Sequence, residues 1–137
     1  MNVLVETLER SLLERFQEVA SRLRREHQNV VVDVTSFDAG ELTKNPSRSI
    51  AIECLFRDAP ATEANLVALV VFVEHPNYRS WVSASVSWGE PSRYVEDEFR
   101  PQPVELSSET LQELYAALPH LYESLESAMI RKKPKAT

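Results

Sequence analysis

Cysteine occurs once, at Cys54, so this chain of 137 residues has no internal disulfide and no Cys-x-x-Cys pair for a structural zinc site. Glycine occurs only at Gly40 and Gly89, which excludes a glycine-rich phosphate-cradling loop. The same scarcity leaves few turns able to take positive φ, so hairpin connections longer than two residues are expected. Positive charge is in deficit: 15 Lys and Arg against 21 Asp and Glu give a net charge of −6, and nucleic acid is not an expected partner. The longest apolar run, residues 66–73, falls far short of the ~20 residues of a membrane helix, so no membrane partner is expected either. The opening residues lack a basic stretch followed by an apolar core, and Glu6 and Glu9 interrupt any such reading, so the expected compartment is the cytoplasm. Asn45-Pro46-Ser47 carries the proline that blocks glycosylation.

What the chain does have is a globular balance, with 43% hydrophobic and 26% charged residues. A chain of this length buries roughly two-thirds of its unfolded surface, enough for one core without metal or disulfide staples. The expected organisation is a single domain over residues 1–131 and a basic flexible tail over residues 132–137.

Residues 3–27 read as an amphipathic helix, with Val5, Leu8, Leu12, Phe16, Val19 and Leu23 at spacings of three and four. Glu6/Arg10 and Glu18/Arg22 are i,i+4 pairs of the favourable order. Arg15 and Arg22 occupy would-be heptad seam positions, which favours packing on a sheet over a coiled coil. Four strand-like runs follow. In residues 29–37, Val30, Val32 and Val34 alternate with Val31, Asp33, Thr35 and Phe37. In residues 49–57, Ile50, Ile52, Cys54 and Phe56 alternate with Ala51, Glu53, Leu55 and Arg57. Residues 66–73 are apolar on both faces, and residues 80–88 set Val82, Ala84, Val86 and Trp88 against Trp81, Ser83, Ser85 and Ser87. Residues 94–99 offer a fifth, short edge strand that Pro101 and Pro103 end. A last helix starts at an N-cap, Ser107, and carries Leu111, Leu114, Leu118, Leu121 and Leu125 in a stripe that Pro119 is expected to kink or split.

The fold class is therefore α+β: a two-layer sandwich in the order α-β-β-β-β-α, with a four- to five-stranded antiparallel meander and both helices on one face. The predicted core contains Leu12, Phe16, Val19, Ile52, Phe56, Val82, Leu114, Leu118 and Leu121.

Catalytic signatures are weak. Glu74 and His75 are adjacent and point opposite ways if extended, so they read as a polar turn rather than an acid–base pair. Three isolated histidines, His27, His75 and His120, have no metal-ligand spacing, and no metal or cofactor is expected. The serines of residues 83–87 lack a nucleophile-elbow sequence, Cys54 sits in an inward series, and Glu96-Asp97-Glu98 reads as a solvated acidic loop. Residues 101–130 carry Glu105, Glu109, Glu113, Glu123 and Glu126 and no Lys or Arg, an acidic face suited to a basic partner.

With both helices on one face, the other face of the sheet is left open, and the apolar third strand makes it unfavourable to leave wet, by roughly 25 cal/mol per Å². The candidate binding residues on that face are Asp33, Phe37, Glu53, Leu55, Arg57, Trp81, Ser83 and Ser85. The expected function is a small non-catalytic protein-binding module of adaptor, immunity or secretion-chaperone type. It would act through this face and the acidic surface on a protein partner, a second copy of the chain, or both. The alternative is a small-ligand binder or enzyme using Asp33, Glu53, Arg57, Trp81 and Ser85. A third reading is a purely structural homodimer subunit, and the face could instead be covered by the chain's own residues 89–106.

Overall fold

A computed structural model describes residues 3–38, 47–56, 66–74, 80–88, 94–100 and 102–131, without the side chains of Asp38, Glu74 and Arg131. Arg57 of the candidate site, the residues Gly40, His75 and Gly89, and the tail 132–137 lie outside the described residues. The elements are α1 (Val3–Glu26), β1 (Val30–Asp38), β2 (Ser47–Phe56), β3 (Leu66–Glu74), β4 (Trp81–Trp88), β5 (Tyr94–Glu98), β6 (Val104–Glu105) and α2 (Ser108–Arg131). No described helix is long and apolar enough to cross a membrane.

The sheet is antiparallel throughout, in the order β1-β2-β3-β4-β5, with β6 pairing β4 beyond the end of β5. The connections between successive long strands all exceed two residues, as the scarcity of glycine requires. The helices lie on one face, α1 over β1 and β2, α2 over β3, β4 and β5. Their stripes meet the inward strand residues in a single core: Leu8, Leu12, Phe16, Leu23, Ile50, Ile52, Leu69, Val82, Leu114, Leu118 and Leu121 are buried together. Of the predicted core residues only Val19 is half-buried, packed against the core, while Ala20 beside it is fully buried. Cys54 is buried in the inward series, and that burial, with Glu53 beside it, pushes its thiol up to about 12. At neutral pH it is an inert thiol.

The start of α2 follows the sequence closely. Ser107 Oγ accepts the N–H of Thr110 at 3.2 Å, and Thr110 Oγ1 accepts the N–H of Ser107 at 2.6 Å, a reciprocal capping box with threonine as its second member.

Three expectations need correction. Pro119 does not split α2, which runs unbroken; the proline sits on the exposed side, so only the donor to the carbonyl of Tyr115 is lost. The short edge strand expected over residues 94–99 is present as β5 and ends at Glu98, before the prolines; β6 begins directly after Pro103, since an edge strand can begin after a proline. Arg22 engages Glu26 and Glu126, each at 3.0 Å, rather than Glu18. Glu96, Asp97 and Glu98 belong to β5 instead of a solvated loop. A bulge between Val86 and Ser87 breaks the alternation there, so that Glu96 bonds Trp88 Nε1 at 2.8 Å while Asp97 reaches α2.

Candidate functional site: the open face of the sheet

The registers place the outward side chains in rows that cross the strands. The first row is Val31, Leu55 and Leu66; the second is Asp33, Glu53, Ala68, Ser87 and Val95. The third is Thr35, Ala51, Val70, Ser85 and Glu98, and the fourth is Phe37, Ser49, Phe72 and Ser83. The fifth brings the Trp81 position beside those of Glu74 and Glu105. Rows are spaced by two residues, about 7 Å.

Asp33 and Glu53 are thus brought together as direct partners, and Phe37 shares a row with Ser83. Leu55 and Trp81 are four rows apart, roughly 27 Å, and Trp81 lies three rows, roughly 20 Å, from Glu53. Of the described residues offered for a small-ligand site, Asp33 and Glu53 share a row and Ser85 lies in the next, while Trp81 stands apart. Residues 94–106 do not cover the face as described: β5 and β6 lie within the sheet, and Phe99 packs on the helix side against the core.

Solvent access follows side-chain size. Phe37, Leu55 and Val95 are 56%, 47% and 58% exposed, while Ala51, Ala68 and Ser87 between them are buried by their larger neighbours. Leu66, Val70, Phe72 and Trp81 are half-buried. The result is a shallow face on which apolar residues of β1, β2, β3 and β5 alternate with small and hydroxyl-bearing ones. Among the described residues this face carries carboxylates at Asp33, Glu53, Glu98 and Glu105 and no lysine or arginine; Arg48 of β2 turns to the helix side, where it pairs with Glu9 at 3.2 Å. The sequence reading missed Val31, Ala51, Ala68, Val70 and Val95, although the first four were visible as the alternate members of their strands. Val95 was hidden by the bulge.

Two other clusters join titratable groups. Asp97 Oδ2 accepts from Ser124 Oγ at 2.6 Å and lies 2.8 Å from His120 Nε2. This holds the residues of a hydrolytic triad in the wrong order: the serine hydroxyl is committed to the carboxylate, and the histidine, 73% exposed, bonds that carboxylate rather than the serine. The other cluster is Glu26, His27 and Glu126, a set with metal-ligand chemistry. Arg22 occupies it, bonded to both carboxylates, and His27 Nε2 lies 3.2 Å from Glu126. Burial raises the Glu126 carboxyl, but hydrogen bonds from His27 and Arg22 and their charges outweigh that and hold it below its ordinary value. The cluster is a tie between α1 and α2. Together with the ion pair of Arg100 and Glu113, it removes two of the five glutamates from the acidic face read in the sequence.

Comparison with protein-family models, with curated proteins and with solved structures found no match for this chain.

Proposed function

We propose that the chain is a protein-binding module whose open sheet face takes an apolar segment bearing lysine or arginine from another protein. The observation that carries this reading is the pairing of Asp33 with Glu53, two carboxylates set side by side with Val31 and Leu55 in the neighbouring row. Like charges placed directly across two strands weaken a sheet, whereas a cation arriving between them is attracted by both. Phe37, Leu55 and Val95 supply exposed apolar anchors on either side of the carboxylates. The breadth of the face suits a polypeptide more than a compact ligand, because the polar groups are spread over several rows.

Selection of a random peptide library on the immobilised full chain tests this. The expected binders combine aliphatic or aromatic residues with Lys or Arg, weaken as salt is raised, and lose about tenfold or more in affinity against Leu55→Lys. Circular dichroism of that variant should match the parent, because Leu55 lies outside the core. Failure to enrich any sequence, or binders that hold Leu55→Lys equally well, would overturn the reading.

A further inference from the structure

The two outer edges of the sheet are built differently. On one side β5 and β6 are five and two residues long, follow a bulge, and have Pro103 between them, all features that discourage another strand from adding. On the other side β1 runs for nine residues, four of them valine, with no proline, glycine or lysine. Among the described residues, that edge has no proline, bulge or lysine to discourage pairing beyond the stretch covered by the end of α1.

Its outward groups can be identified. The N–H of Val30 donates to the carbonyl of His27 at 3.4 Å, and the carbonyl of Val32 accepts from Arg24 Nε at 2.8 Å. Neither partner belongs to β2. Along an antiparallel strand the N–H and C=O of one residue point to the same side, and the side alternates from residue to residue. The outward groups of β1 therefore belong to Val30, Val32, Val34, Ser36 and Asp38. The end of α1 and the residue after it take the Val30 N–H and the Val32 carbonyl. Among the described residues, no hydrogen bond from another element reaches the main chain of Val34 or Ser36.

We propose that two copies of the chain join at this edge, β1 against β1, antiparallel across a two-fold axis through Thr35. In that register Val34 exchanges both main-chain bonds with the partner's Ser36, and Ser36 does the same with the partner's Val34, so the uncapped groups satisfy one another. Asp33 then faces the partner's Phe37. A register placing Asp33 against its own copy would oppose two carboxylates and would put the Val32 carbonyl, which Arg24 holds, among its central bonds; about Thr35 that carbonyl is met only by the outer pair of Val32 with the partner's Asp38. Pairing of this kind leaves both helix layers on one side and both open faces on the other, as one continuous surface. It does not depend on what that surface binds.

Sedimentation equilibrium of the full chain, with its variants, decides the matter. The parent should have twice the 15.6 kDa mass of one chain. Ser36→Pro should halve that mass with the fold retained, since the lost N–H points away from β2 and proline is tolerated at such an edge position. Ser36→Lys, which leaves the backbone untouched, should do the same and carries the test if the proline variant unfolds. Thr35→Cys should form an intermolecular disulfide on mild oxidation, because directly opposed residues of this kind have Cα atoms about 4.5 Å apart. Cys54, being buried, does not compete. A parent of single-chain mass, or a dimer that survives both Ser36 variants and leaves Thr35→Cys uncrosslinked, would overturn the proposal.

Discussion

Asp33 on β1 and Glu53 on β2 are direct cross-strand partners on the open face of the sheet, two carboxylates set against one another with Val31 and Leu55 in the next row. Such a pair works against the sheet that holds it. Its retention is understandable if the site serves something other than stability, in the way that binding surfaces commonly carry locally unfavourable charge.

The first prediction follows from that opposition. Asp33→Asn or Glu53→Gln removes the repulsion and should stabilise the chain by about 0.2–1 kcal/mol, read as a higher urea midpoint at unchanged slope. The same substitutions should weaken binding of basic apolar peptides. A variant that loses stability would show that the pair is compensated within the fold.

The acid side of the stability curve should report the tie between the helices. Because Glu126 is held below its ordinary value by His27 and Arg22, the folded state favours its charged form. Its contribution is present above the unfolded value near 4.5 and is lost as pH falls through the lower folded value. Glu126→Gln should therefore flatten the fall in stability below that point. At neutral pH it should cost at most about 1 kcal/mol, since the carboxylate is partly exposed and screened. Parallel denaturation curves of parent and variant between pH 3 and 7 (about the span of carboxylate titration) check this, and an unchanged acid limb would count against it.

Tyr115 and Tyr122 lie on the half-buried flank of α2, and their hydroxyl oxygens are buried with no hydrogen-bond partner among the described residues. Burial, moderated by Arg15 and reinforced by Glu18, pushes the Tyr122 phenol up to about 12. Tyr122→Phe keeps the edge-on contact with Phe16 and removes the unsatisfied oxygen, so it should raise stability by about 1 kcal/mol at neutral pH. The raised value means that the folded state holds the phenol proton more tightly. Stability is then lost as pH rises from about 10, the ordinary phenol value, toward about 12. The advantage of Tyr122→Phe should therefore widen across that alkaline range. A variant less stable than the parent at both ends would refute this assignment.

Much of the architecture was legible because it rests on periodicity. The stripe from Val5 to Leu23, the alternation of Ile50, Ile52, Cys54 and Phe56, and the cap at Ser107 are local patterns, and each formed the element its pattern implies. The division of the two tryptophans was legible for the same reason: Trp88 packs toward the core, stacked on Tyr94 at 4.4 Å, while Trp81 falls on the other side. Features that depend on distant partners were not legible. The bulge at Val86 and Ser87 shifts the parity of β5, so the facing of Glu96, Asp97 and Val95 could not be read by counting. The bond from Arg22 to Glu126 and the Arg24 cap on Val32 depend on how α1 lies against its neighbours, which no spacing within the helix reveals. At the candidate site, alternation identified the face, but the neighbouring of Asp33 and Glu53 required the register of two strands.

The claim that the open face is the binding surface is tested most directly by methyl NMR of the full chain titrated with a peptide selected as above. The account predicts that shifts concentrate on the methyl groups of Val31, Leu55, Leu66, Val70 and Val95, while those of Val32, Leu69, Val86 and Leu118 on the helix side stay in place. Shifts confined to the helix side, or spread evenly over both sets, would contradict it.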